Sequence, residues 1–129
     1  MSVPVGLGLD LIDLDQFRVH YGDEDPDLLA RCFTERELRS AGDGADRLAR
    51  LAARFSVKEA AYKALGGGER VALTDIETVT GDDGAPSIVL HGSAREIAEA
   101  RGATSFMVSL THSAASAAAV VIALSTGPR

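Results

Sequence analysis

Apolar residues recur at helical spacing in the first half of this chain and alternate in the second. The opening run "PVGLGLDLIDL" stands apart: it is apolar up to Asp10, which predicts a strand over about 3–9. A helix follows from Asp13 through "LDQFRVHY". "GDEDPD" reads as a loop, and Pro26 with Asp27 starts a short helix, "DLLARCF". In "FTERELRSAG", Thr34 is a helix cap, Glu37 completes a capping box, and Gly42 is the stop. The longest helix is predicted over about 46–65, with Asp46 as its cap. Leu48, Leu51, Ala52, Phe55 and Tyr62 return along it as a buried stripe, and Gly66-Gly67-Gly68 ends it.

Beyond the glycines, "LTDIETVTG" alternates, with Ile76 and Val79 near its core, "DDG" is a hairpin turn, and "PSIVLHG" returns. "SAREIAEARG" is a capped helix. "SFMVSLTHS" and "ASAAAVVIAL" are strands joined by a tight turn at Ser113–Ala115. The last is apolar on both faces, which predicts a central position. Helices first and a mainly antiparallel sheet afterwards make an α+β domain, with the long helix packed on the sheet. No internal repeat is visible, and 129 residues fit one domain over 1–129.

Composition narrows the function. With 46% hydrophobic residues and no Trp, aliphatic side chains must fill the core. A single cysteine, Cys32, excludes an internal disulfide framework and suits the cytoplasm, as a half-buried small apolar residue. No apolar run is long enough to span a bilayer, and the N-terminus lacks a signal-peptide pattern, so no membrane role is expected. The net charge of −6 argues against nucleic acid as a partner. Its distribution is uneven. Residues 10–27 hold seven acidic residues against Arg18 alone, while residues 46–70 hold six basic against three acidic. A basic stretch on an acidic protein suggests a specific anionic ligand.

The candidate chemistry lies in "RFSVKEAAYKALGGG" and two flanking residues. Glu59 and Lys63 are i,i+4 on one helix face, either a surface ion pair or a functional one. Arg54 and Lys58 are a like-charge i,i+4 pair, which an anion between them would explain. The glycines are a flexible cap or a loop whose N–H groups approach a phosphate. Asp10, at the end of an apolar strand, is an N-cap or turn residue, or a metal ligand. Asp10 and Glu59 would suit Mg²⁺, which takes one or two carboxylates plus phosphate oxygens and water. His112 ends a strand, either satisfied at the sheet rim or facing a ligand. His20 and His91 lack supporting neighbours and read as solvated.

"GLGLD" with Asp10, "RFSVKEAAYKALG" with Glu59 and Lys63, and "VSLTHS" with His112 together resemble the holo-acyl-carrier-protein synthases, the short 4′-phosphopantetheinyl transferases. The resemblance covers essentially the whole chain. It implies that fold, a cytoplasmic enzyme, and transfer of phosphopantetheine from coenzyme A to a serine of an apo acyl carrier protein or carrier domain, releasing 3′,5′-ADP. By the same resemblance, Asp10 and Glu59 bind Mg²⁺ and Lys63 contacts the pyrophosphate, these three forming the catalytic set. Arg54 and His112 hold the 3′-phosphate, Lys58 joins the coenzyme A contacts, and Gly66, Gly67 and Gly68 lie near the nucleotide. Glu59, or a water it orients, takes the serine proton. A homotrimer with the coenzyme A site between subunits is implied. The rival reading is a non-catalytic scaffold of the same fold that binds coenzyme A or docks a carrier.

The first helix departs from the family pattern, which is usually basic there. Gln16 stands where Arg is common, and Asp13 where Glu is more usual. Three explanations stay open: a less acidic carrier; docking through Arg31, Arg36 and Arg39 with Phe17 and Val19; or acidic residues solvated outside the interface.

Overall fold

The computed structural model describes residues 1–127. In chain order it has β1 (Val3–Asp13), α1 (Leu14–Tyr21), α2 (Pro26–Cys32), α3 (Glu35–Ser40), α4 (Arg47–Ala64), a 3₁₀ turn (Leu73–Asp75), β2 (Ile76–Thr80), β3 (Pro86–Leu90), α5 (Gly92–Ala100), β4 (Ser105–His112) and β5 (Ser116–Ser125). One sheet has the order β1-β5-β4 and the other pairs β2 with β3, all antiparallel. The architecture is α+β as expected, and β5 is central.

Local chemistry explains most boundaries. Asp13 caps α1 by accepting from the Asp15 and Gln16 N–H groups. Pro26 opens α2 behind the Asp25 cap. The Thr34–Glu37 capping box opens α3 with both reciprocal bonds made. Three expectations need correction. Asp46 makes no side-chain cap bond to α4. The helix α5, expected to be capped, has no side-chain cap bond; Asp75 accepts the Ser93 N–H and hydroxyl at 3.3 and 3.2 Å. His91 is not simply solvated, because its Nε2 lies 3.1 Å from Glu77 Oε1.

The α4 face that meets the sheet is also not the stripe expected. Leu51 and Ala52 are buried, but Leu48, Phe55 and Tyr62 are only partly so. The deepest face is made of small residues, Ala53, Val57, Ala60, Ala61 and Ala64. They let the helix sit close to β1. A Cβ at Gly6 would overlap the carbonyl oxygen of Ala64, and one at Gly8 that of Ala60. Glycine on the strand and alanine on the helix bring the two backbones together.

The extent of β1 also needs correction. The strand runs on to Asp13, so Asp10 is within it rather than at its end. Gly6, Gly8 and Asp10 face α4, while Leu7, Leu9 and Leu11 point outward at 67%, 65% and 71% exposure. Met107 of β4 joins them at 58%. Among the described residues no helix is long and apolar enough to cross a membrane.

Candidate active site

The close approach of β1 to α4 creates a charged cluster. Lys63 Nζ donates to the Leu9 carbonyl at 2.9 Å and lies 3.3 Å from Asp10 Oδ1. Glu59 is one turn earlier on the same flank. Burial raises its carboxyl above the ordinary range, the Asp10 charge raises it further, and Lys63 opposes both. Two carboxylates and one ammonium, contributed by two elements, therefore share one locus.

A hard divalent cation fits these donors. It would relieve the repulsion that pushes Glu59 up. Among the described residues no group of three or more His, Cys, Asp or Glu could hold a metal ion. A cation held by Asp10 and Glu59 must therefore complete its shell with other oxygens, which is how Mg²⁺ is usually bound and not how structural zinc is.

Beside the cluster, Glu59, Tyr62, Arg70, Val71 and Leu73 line a cavity of about 410 Å³. A second cavity, of about 330 Å³, shares Tyr62 and Val71 and extends to Gly67, Gly68 and Arg101. Sequence reasoning missed Tyr62 and Arg101 as wall residues and counted Arg70 only toward the local charge. The loop from Gly66 to Val71 and the helix α5 bring them in, and no spacing rule signals that.

The glycines do less than expected of a phosphate loop. Gly66 and Gly67 adopt φ of 105° and 65°, which favours glycine. Their N–H groups are spent on the carbonyls of Lys63 and Tyr62, at 2.9 and 3.0 Å, closing α4. The loop also sits at the negative end of the helix dipole. With the Gly66 and Gly67 N–H groups spent, the cations near this loop are Lys63, Arg70 and Arg101.

Lys58 is a correction. Its side chain is fully buried, and Nζ donates to Glu37 Oε1 at 2.7 Å, Ile76 O at 2.6 Å and Leu73 O at 3.0 Å. All three ammonium protons are used, so it forms no anion site with Arg54 and cannot contact coenzyme A. Glu37 in turn accepts from the N–H groups of Thr34 and Thr78. The pair ties α3, α4 and β2 together beneath the surface. The capping box revealed one bond of Glu37; its burial against Lys58 carried no sequence signal.

Arg54 and His112 lie elsewhere. At ~100° per residue, Glu59 stands about 140° and Lys63 about 180° round the α4 axis from Arg54. Arg54 faces the β4 side, where it lines a cavity with Thr78, Val108 and Leu110. It donates to Arg50 O at 3.1 Å and Ser40 Oγ at 2.9 Å, and its Nε is buried without a partner. His112, exposed, follows Leu110 on the same side of β4. Asp10 and Leu110 both pair with Ala119, so two strand spacings, ~10 Å, separate β1 from β4 here. One chain thus brings together Asp10, Glu59 and Lys63 and holds Arg54 and His112 on the opposite flank.

Of the residues considered for carrier docking, Val19 is 82% exposed, but Phe17 is buried in the core and cannot serve. Arg36 is bonded to Glu77 at 2.7 Å. Cys32 is fully buried rather than half so.

Comparison with known proteins agrees with this geometry. The model of the 4′-phosphopantetheinyl transferase superfamily matches residues 6–121. The holo-[acyl-carrier-protein] synthase of Streptomyces avermitilis is 40% identical over 123 residues, covering 95% of this chain and 98% of that protein. That of Nitratidesulfovibrio vulgaris strain DP4 is 42% identical over 120 residues, covering 92% and 96%. The solved holo-(acyl-carrier-protein) synthase of Bacillus anthracis, in complex with CoA (3′,5′-ADP), is 28% identical with a TM-score of 0.75, covering 95% and 98%. The chain therefore belongs to the 4′-phosphopantetheinyl transferase superfamily, among its holo-acyl-carrier-protein synthases.

Proposed function

We propose that this chain transfers 4′-phosphopantetheine from coenzyme A to a serine of an apo acyl carrier protein, for fatty-acid, polyketide or peptide synthesis, with Mg²⁺ held by Asp10 and Glu59. The carrying observation is the Asp10–Lys63–Glu59 cluster at the edge of the Glu59–Arg70 cavity. The serine oxygen attacks the phosphorus that bears the pantetheine arm. A new P–O bond forms, the pyrophosphate bond breaks, and 3′,5′-ADP leaves with the bonding pair. Glu59, its carboxyl raised by burial and by Asp10, is suited to accept the serine proton. Lys63 would neutralise charge developing on the leaving oxygen. Mg²⁺, when bound, would supply further neutralisation of the pyrophosphate.

A homotrimer is part of the reading. The outward row Leu7, Leu9, Leu11 and Met107 is an apolar patch of the kind that another subunit covers. Placing the partner subunit's Arg54 flank against the Glu59 flank would unite the two half-sites. The buried, free Cys32 thiol fits a reducing compartment such as the cytoplasm.

Intact-mass spectrometry of apo carrier proteins incubated with the chain, coenzyme A and Mg²⁺ tests the reaction. The expected result is a gain of one phosphopantetheine, lost with Glu59→Gln. Bound coenzyme A with no gain on any carrier, acidic or not, would leave only the scaffold reading. Full turnover by Glu59→Gln at saturating Mg²⁺ would remove the proton-accepting role.

A further inference from the structure

Tyr21 closes α1 beside the charged cluster, and core packing accounts for its ring but not for its hydroxyl. The ring stacks on Phe17, with centroids 4.5 Å apart, and on Phe55 at 5.7 Å. Phe55 is one turn before Glu59 on α4, so both lie on one helix face. Tyr21 and Phe55 pack in the same apolar cluster as Leu73, and Leu73 lines the Glu59 cavity. The end of α1 is also clamped. Glu24, a non-glycine residue with φ of 51°, donates its N–H to the Tyr21 carbonyl at 3.0 Å. Its carboxylate is held by Arg47 Nε at 2.8 Å, and Arg47 also donates to the carbonyls of Leu38 and Gly42. A left-handed glutamate is strained, and it persists because this clamp ties the loop to α3 and α4.

The hydroxyl has a proton to give. It accepts from Cys32 Sγ at 3.8 Å, which leaves its own O–H without an acceptor among the described residues. Burial, Cys32 and the charge of Glu59 raise the phenol to about 12, so it keeps that proton at working pH. Glu59 is the complement. Among the described residues none donates a hydrogen bond to its carboxylate. A carboxylate that holds a metal ion is ordinarily fixed by such a donor.

Building on the reading that Glu59 holds Mg²⁺, we propose that Tyr21 is a positioning residue whose hydroxyl donates to the Glu59 carboxylate across one water molecule and orients it for the metal. The two groups make no direct bond, and a bridging water serves nearly as well as one. Tyr21 acts through Glu59 and takes no part in making or breaking bonds. A contact with Cys32 alone is the competing role.

The test compares the full-length wild type with Tyr21→Phe, which keeps both ring contacts and removes only the hydroxyl. Mg²⁺ binding is measured by calorimetry with 3′,5′-ADP present. The Mg²⁺ concentration for half-maximal transfer is measured with coenzyme A and an apo carrier. Thermal midpoints are recorded without metal or nucleotide. Tyr21→Phe should weaken Mg²⁺ by about tenfold in both measurements, the usual loss for an outer partner of a metal ligand. Its metal-free midpoint and its KM for the carrier should match those of the wild type. In a Glu59→Asp background, where the carboxylate is withdrawn, the same change should cost less than about twofold. Unchanged Mg²⁺ affinity, whatever the midpoint, overturns the role of Tyr21, and so does an equal loss in the Glu59→Asp background. The function stands in either case if the wild type transfers phosphopantetheine. If the wild type neither binds Mg²⁺ nor transfers, the function and this inference fall together.

Discussion

Lys58 Nζ and Glu37 Oε1 lie 2.7 Å apart with both side chains fully buried. Burial draws the Lys58 ammonium below its ordinary range, and Glu37 opposes that. With three acceptors on the lysine and three donors on the glutamate, the pair is fully satisfied. Removing one partner leaves the other buried and unpaired, at about 3–5 kcal/mol. Lys58→Met should lose stability of that order in a denaturant titration. The protein that remains folded should keep its KM for coenzyme A. A selective rise in that KM, without lost stability, would return Lys58 to the ligand site.

Gly8 tests the other half of the architecture. Its missing Cβ lets the Ala60 carbonyl approach, and Asp10 follows on the same strand face. Gly8→Ala must push β1 away from α4. The expected cost is about 1–3 kcal/mol, as for overpacking elsewhere. Activity should fall further than stability alone explains, because Asp10 separates from Lys63. Equal thermal midpoints and equal turnover for wild type and variant would contradict this.

These two relationships mark what the sequence could tell. The α4 helix, the capping box at Thr34 and the central β5 were legible because each depends on local spacing or on one strand's two faces. The spacing of Glu59 and Lys63 and the chemistry of two carboxylates suggested the cluster with Asp10, and the resemblance sharpened it, since strand and helix are far apart in sequence. Lys58 was misread because an i,i+4 cation pair on a helix looks solvent-facing until α3 and β2 cover it. Which face of β1 packs inward carried no sequence signal: Gly6 and Gly8 face the helix and the leucines face out.

Glu77 gives a pH dependence. Its carboxyl is lowered to about 2, chiefly by the hydrogen bond from Arg36, with Thr34 and His91 adding and burial opposing. Unfolded, a glutamate titrates near ~4.3. The stabilisation is therefore complete above about pH 4.3 and is lost as pH falls toward 2. Glu77→Gln should be less stable at neutral pH and should flatten the stability curve within that window. Denaturant midpoints measured from pH 6 to 2 check it; parallel curves would show that Glu77 titrates alike in both states.

The separation of Arg54 from Glu59 round α4 makes the strongest demand on the assembly. If each site takes Glu59 from one chain and Arg54 from its neighbour, Glu59→Gln and Arg54→Ala should each be nearly inactive alone. Mixed and allowed to exchange subunits, they should recover activity. With equal amounts and random assembly, about one site in four receives both intact residues. Carrier modification by the mixture should then approach a quarter of the wild-type rate. Leu9→Lys, which puts a charge into the outward apolar row, should abolish the recovery and give a monomer by light scattering. Recovery absent from a mixture that light scattering shows to be trimeric would mean that each chain completes its own site. Arg54 would then have to act without its neighbour, across the ~180° of helix that separates it from Lys63.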